Sequence, residues 1–268
     1  QRKNHSNIIP PIGGVPIFFS IVLLTLLNIF SDNKTFFEDF YFVHNQIDFK
    51  SIFAFFFCTT CLFLLGLLDD KNGVSANLRL IIFGLIFYFA TLLDDQLVLS
   101  SLKLETLQIE IELDKIKIFF TLFCFLVLIN ALNMFDGINN QFGLYLLILF
   151  SILAFKKIFL FISLPILVSL IFFLYFNFKN KIFIGNHGVY FLSFILSFLI
   201  IKNYNSTIYI TVEEVYLLLY LPILELLRLF LIRLYKNKNP FRGDSNHIHH
   251  YFYKKTNSSL KTALITNL

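Results

Sequence analysis

The chain has 268 residues, 57 % of them hydrophobic and 15 % charged, with a mean hydropathy of +0.75. Soluble domains carry about 25 % charged residues, which excludes an ordinary soluble domain, and 10 Gly, 6 Pro and 3 Cys exclude collagen-like, disordered and disulfide-scaffold classes. The net charge of +5 needs no nucleic acid to explain it; on so apolar a chain it suits anionic headgroups or phosphorylated substrates.

A membrane-crossing helix needs about 20 apolar residues. Runs of that kind occupy residues 13–30, 51–68, 77–93, 116–135, 138–155, 158–178 and 212–235, and a shorter one occupies 188–201. The short run is expected to begin earlier than its apolar stretch or to sit in thinned bilayer. An open sheet cannot sit in lipid, so the expectation is an all-α polytopic transmembrane bundle of about eight spans. No internal repeat or low-complexity linker divides residues 1–268, which read as a single domain. The chain opens on Gln1 with no signal-peptide pattern and reads as a fragment whose start, at least, is missing.

Eight spans place both ends on one side, together with residues 69–79, 136–140 and 179–187. That side carries 13 Lys and Arg against eight on the other, with Arg228 inside a span, and is cytoplasmic by the positive-inside rule. Twelve of the 17 acids fall outside. Asp69, Asp70, Asp136, Glu225 and Asp244 are those at or near the cytoplasmic face. The outer loop 94–115 alternates apolar and polar residues from Leu104 to Leu113, and this period of two predicts a short extracytoplasmic hairpin. Cys58, Cys61 and Cys124 lie in apolar runs and read as small buried residues, not as a redox pair.

Four polar clusters share the cytoplasmic side. Asp69-Asp70-Lys71 closes the second span; adjacent carboxylates repel, and paired carboxylates with phosphate oxygens are a usual way to hold Mg²⁺. Asn130, Asn133 and Asp136, spaced by three, line one stripe of the fourth span, either facing a wet cavity or gluing helices together. Gly185-Asn186-His187-Gly188 forms a phosphate-approach turn at a helix start. Finally, Arg242-Gly243-Asp244-Ser245-Asn246-His247-Ile248-His249-His250 follows the last span. No thiolate lies in reach on that face, so a basic loop meeting a diphosphate fits it better than a zinc site.

With Gly13-Gly14 after Pro10-Pro11, these clusters follow one another in the order seen in a known family. The chain resembles the bacterial polyprenyl-phosphate N-acetylhexosamine-1-phosphate transferases (glycosyltransferase family 4), which make undecaprenyl-diphospho-GlcNAc and lipid I. The resemblance covers nearly the whole chain. Family members have ten or eleven spans, which implies that the first span and one or two C-terminal ones are missing here.

The resemblance implies a multi-pass protein of the bacterial inner membrane, with its active site facing the cytoplasm. There it would transfer a sugar-1-phosphate from a UDP-N-acetylhexosamine to undecaprenyl phosphate, release UMP and start a lipid-linked envelope glycan such as lipopolysaccharide. It implies Mg²⁺, with Mn²⁺ as a substitute. Asp69, Asp70 and Asp136 would be catalytic. Asp69, Asp70, Asp136 and Asn186 would hold the metal, and Lys71, Asn130, Asn133, Arg242, His247, His249 and His250 would bind substrate. A homodimer is compatible with the apolar helix faces.

Departures from the family pattern are Asn186 and Asn139 where Asp is usual, Asn140 where Gly is usual, and Ser245 where Arg is common. Glu225 and Arg228 stand in the last span where an Asp and an Arg are often seen. These departures keep open a catalytically degraded homologue that binds polyprenyl phosphate. A membrane transporter is the remaining alternative, but it would place ionisable residues at mid-membrane.

Overall fold

The computed structural model describes residues 9–30, 41–42, 46–47, 49–206, 210–237 and 248–267. The expected apolar runs are all helical: α1 (Gly14–Phe30), α2 (Phe49–Asn72), α3 (Ala76–Leu93), α4 (Lys117–Phe135), α5 (Gln141–Phe155), α6 (Leu160–Phe178), α7 (Gly185–Ser206) and α8 (Val212–Tyr235). Six are long and apolar enough to cross a membrane, whereas α1 and α5 are shorter. Helix α5 starts at Gln141, three residues later than its apolar run, because Asn140 adopts a left-handed φ of 70° that breaks the helix. Its 15 residues rise only ~22 Å. Residues Tyr41–Phe42 (β1) and Gln46–Ile47 (β2) pair in a minimal antiparallel ladder. Two short helices not expected from the sequence, α9 (Ile248–Thr256) and α10 (Ser259–Asn267), end the chain. Thr262, Ala263 and Thr266 of α10 are buried, and Asn267 Nδ2 donates to the Gln141 carbonyl, which fixes α10 to the start of α5.

The run that looked too short, 188–201, belongs to α7, whose 22 residues begin three positions earlier and end five later. Its apolar side chains are buried nearly all round; Val189 to Leu199 are inaccessible but for a trace at Ser197. A helix buried on every side is the axis of a bundle. Helix α2 runs antiparallel along it. Phe55 and Phe198 meet edge to face at 5.0 Å near one end, while Gly66 lies against His187 near the other. Ser193 and Ser197 fold their hydroxyls back onto the carbonyls of Val189 and Ser193, which hides their polarity within the helix. At the end away from the acids, Lys202 donates to Asp94 Oδ2 at 2.6 Å and to the Ser51 hydroxyl, forming an ion pair sealed from solvent.

The expected hairpin is present at that same end. Strands β3 (Ser101–Leu104) and β4 (Ile109–Glu112) pair antiparallel, with Leu102 opposite Ile111 and Lys103 opposite Glu110.

Candidate active site

The α2–α3 turn places the first acid. Helix α2 ends at Asn72, and Gly73 follows with φ +71°, its N–H donating to the Asp69 carbonyl at 2.9 Å. This left-handed cap turns the chain back so that the Val74 N–H reaches Asp69 Oδ1 at 2.6 Å. Ser75 then N-caps α3, and one turn later the Arg79 guanidinium reaches Asp69 Oδ2 at 3.0 Å. From α7, the Tyr190 hydroxyl donates to the same oxygen at 2.5 Å and Asn186 Nδ2 at 3.0 Å. Arg79 also donates to the Tyr190 oxygen at 3.0 Å. Asp69 is thus a buried carboxylate receiving four protein donors, its charge matched by Arg79.

Asp70 serves a different end. Gly185 starts α7 with φ +77°, and a Cβ there would stand 2.8 Å from Asp70 Oδ2, so only glycine fits. The first turn of α7 holds no acid of its own. Asp70 supplies one from α2: Oδ1 accepts the Asn186 N–H at 3.0 Å, and Oδ2 accepts the His187 N–H at 3.3 Å. A carboxylate on a helix N-terminus contributes typically 0.3–1 kcal/mol (about) through the helix dipole. The His187 ring completes the pairing, its Nδ1 lying 2.6 Å from Asp70 Oδ2. That ring is wholly buried edge-on to Phe63, and its Nε2 has no partner among the described residues.

Gly13 and Gly14 close the same end from α1. Their N–H groups donate to the carbonyls of Phe183 and Ile184 at 2.7 and 2.9 Å, and Gly14 lies against Gly188. Gly13, Gly14 and Gly188 therefore stand where the start of α1 meets the start of α7.

The remaining expected residues belong to other segments of the chain. Asn130 donates Nδ2 to the Leu126 carbonyl of its own helix at 2.7 Å. Asn133 is half-buried on the same helix, and Asp136 caps the end of α4, its N–H donating to the Leu132 carbonyl at 3.1 Å. Helix α4 packs beside α7, so Asp136 shares an end of the bundle with Asp69 and Asp70. Lys71 is exposed one residue beyond the acids. Arg242 and His247, with Asp244 and Ser245, lie outside the described residues. His249 and His250 fall in the first turn of α9.

Next to Asp136, Asn139 donates to the Asn180 side chain and the Asn140 N–H donates to Asn177 Oδ1 at 2.8 Å. Asn139 Oδ1, Asn140 Oδ1, both amide atoms of Gln141 and Asn267 Oδ1 are buried without partners among the described residues. Each orphaned group costs about 1–3 kcal/mol unless something polar meets it. Native structures hold few such groups, so a cluster of them marks a place for a polar ligand or ordered water.

Two members of the acid network, Arg79 and Tyr190, were not singled out from the sequence. The signal for Tyr190 was its position four residues after Asn186, on the same helix face. Arg79 follows an N-cap serine at a membrane boundary, where a cation needs a partner.

Among the described residues, no three His, Cys, Asp or Glu side chains gather as a metal cluster. The donor set nonetheless fits a divalent cation that draws most of its ligands from a substrate. Asp69 has its oxygens taken up by four donors, whereas Asp70 Oδ1 accepts one bond only. One or two carboxylates plus substrate phosphates suffice for Mg²⁺.

Bundle and site together define a polytopic helical membrane protein with an acid–amide site at one end. Residues 52–204 match the family model for glycosyl transferase family 4. The chain is 31 % identical over 269 residues to the undecaprenyl-phosphate alpha-N-acetylglucosaminyl 1-phosphate transferase of Thermotoga maritima, covering 99 % of this chain and 75 % of that protein. It is 26 % identical to the probable undecaprenyl-phosphate N-acetylglucosaminyl 1-phosphate transferase of Bacillus subtilis, covering 93 % of this chain and 67 % of that protein. The Escherichia coli K12 protein with the same name as that of Thermotoga is 24 % identical, with 100 % and 71 % covered. The chain belongs to glycosyl transferase family 4. The network of Asp69, Asp70, Arg79, Asn186, His187 and Tyr190 falls wholly inside the matched residues.

Proposed function

We propose that this chain transfers N-acetylhexosamine-1-phosphate from a UDP-sugar to undecaprenyl phosphate at the cytoplasmic face of a bacterial inner membrane. An oxygen of the lipid phosphate attacks the sugar-bearing phosphorus, the bond to the bridging oxygen breaks, and UMP leaves. The relatives' names support the lipid acceptor and the GlcNAc-type donor. The observation that carries the reading is the pair of acids locked between α2 and α7 at one end of the bundle. A lipid-borne and a water-borne phosphate can meet only near such an end.

Phosphoryl transfer asks a protein mainly for positioning and charge neutralisation. Mg²⁺, when bound, supplies much of the neutralisation that lets two anions meet. We assign Asp70 and Asp136 to hold it, with the Asn186 carbonyl as a neutral third ligand. Asp69 fixes Asn186, Arg79 and Tyr190, and so sets where Asp70 stands. Asn130, Asn133 and the Asn139–Gln141 turn take the nucleotide. Lys71, Arg242, His247, His249 and His250 meet phosphate oxygens. Membranes carrying the protein, given undecaprenyl phosphate and a panel of UDP-N-acetylhexosamines, are expected to release UMP with Mg²⁺ and not with EDTA. Folded, inserted protein that releases none from any donor would overturn the reading.

One observation favours a second reading, a degraded homologue that binds polyprenyl phosphate without turnover. Asn186 is a donor to Asp69, so a neutral amide now fills a place beside that carboxylate. Asn186→Asp would remove a bond to a charged acceptor worth roughly 1.5–3 kcal/mol and set two carboxylates face to face. Its melting temperature in detergent is expected to fall in EDTA and to recover on adding Mg²⁺, while the parent shows little change. A large gain of UMP release in this variant, from a near-zero parent, would decide for the degraded homologue.

A further inference from the structure

The β3–β4 hairpin has two unlike faces. Paired residues share a face, so Leu102 and Leu104 of β3 lie with Ile111 and Ile109 of β4. Ser101, Lys103, Glu110 and Glu112 form the other face. Leu102 packs on the bundle core, which points the apolar face toward the bundle and the charged face away. Ile109 and Ile111 on the outer strand are nonetheless 49 % and 47 % exposed.

Two anchors fix this orientation. The Tyr204 hydroxyl accepts from the Lys103 N–H at 2.8 Å and donates to the Ser101 carbonyl at 3.1 Å, holding the free side of β3 at the end of α7. At the turn, the Thr106 N–H and hydroxyl donate to Glu213 at 3.0 and 2.9 Å. Isolated two-stranded hairpins are marginal in water, so one anchored this firmly has its tilt set by the bundle. On the outward face the Ser101 hydroxyl, and then Lys103, hold the Glu110 carboxyl below its usual range, keeping that face ionised.

Apolar side chains are also exposed where the neighbouring helices begin. Ile116 and Phe119, which lead into α4, are 56 % and 75 % exposed, and Tyr216 and Leu217 at the start of α8 are 59 % and 73 % exposed. Such flanks on membrane-crossing helices face lipid, and tyrosine favours the headgroup level.

We infer that the β3–β4 hairpin is a membrane-surface element, its Ile109/Ile111 face immersed in the leaflet at the end opposite the acids and its Lys103/Glu110/Glu112 face in water. An amphipathic element of this kind settles at the headgroup–acyl boundary. The hairpin thereby sets how deep the outer ends of α4 and α8 sit.

The chain contains no tryptophan, so one introduced residue is an unambiguous reporter. Ile111→Trp and Ile109→Trp would be compared with Glu110→Trp, each in the full chain reconstituted into phosphatidylcholine vesicles. Lipid brominated near the top of the acyl chain and aqueous acrylamide are the two quenchers. Brominated lipid is expected to quench Ile111→Trp and Ile109→Trp severalfold more than Glu110→Trp, with acrylamide showing the reverse order. Equal acrylamide quenching at all three positions would put the whole hairpin in water. Shielding of the isoleucine positions from both quenchers would mean that protein, such as a second copy, covers that face. Either result overturns the inference, and two reporters on the apolar face guard against failure of one variant to fold.

Discussion

Gly66→Ala is expected to be among the most damaging substitutions of a single methyl group in this protein. A Cβ at Gly66 would stand 2.1 Å from His187 Cα and 2.4 Å from His187 N, both backbone atoms of α7. No rotamer change relieves such a contact; α2 and α7 have to separate. Overpacking a tight core costs about 1–3 kcal/mol, and a backbone-on-backbone clash belongs at or beyond the upper end. The separation also pulls Asp70 from the start of α7, so loss of stability and loss of UMP release should go together. Gly84→Ala is the matched control, since nothing lies within 4 Å of the added Cβ. It should leave the melting temperature unchanged or raise it, because alanine is the better helix former by ~1 kcal/mol. Thermal melts in detergent, followed by size-exclusion chromatography, measure both.

The second large effect is expected at Asp69. Asp69→Ala removes the acceptor shared by the Val74 N–H, Arg79, Asn186 and Tyr190, and leaves a largely buried guanidinium without its ion partner. Breaking a buried pair from one side costs about 3–5 kcal/mol. The double variant Asp69→Ala/Arg79→Met removes the stranded charge as well and is expected to regain part of that loss. Transferase activity should stay absent in both, because Asn186 and Tyr190 no longer have an anchor. If the single variant melted like the parent, Asp69 could not be the centre of the network.

What was legible in the sequence follows from what each signal physically measures. Apolar length located the helices, since lipid leaves few other structures for such runs. A period of two from Leu104 to Leu113 pointed to a hairpin in this loop, although it covered only β4 and the turn and missed most of β3, which begins at Ser101. Composition did not reveal that α7 is the axis: a helix surrounded by protein and one surrounded by lipid are both apolar all round. The polar residues of α7, Ser193, Ser197, Lys202 and Asn203, were the available hint. Helices α9 and α10 escaped because each has only nine residues, and α10 owes its place to packing on α5.

The acids at the α2 terminus were readable as a site, but not their partners. Carboxylate pairs suggest metal and phosphate, whereas the donors they meet come from residues 79 and 186–190, more than a hundred positions away in the second case. Only the antiparallel pairing of α2 with α7 brings those together.

That pairing has a mechanical consequence. Helix α7 is pinned at one terminus by Asp69 and Asp70, and at the other by the sealed contact of Lys202 with Asp94 and Ser51. Sliding it by one residue would shift every side chain about 1.5 Å along the axis and turn it about 100°, releasing both fastenings at once. A shaft held at two bearings transmits no piston stroke and no screw motion. Any breathing that admits a long lipid tail and expels a product therefore falls to elements around it. Helix α8, with Pro222 interrupting its backbone ladder and few of its side chains buried, carries fewer fastenings along its length than that shaft.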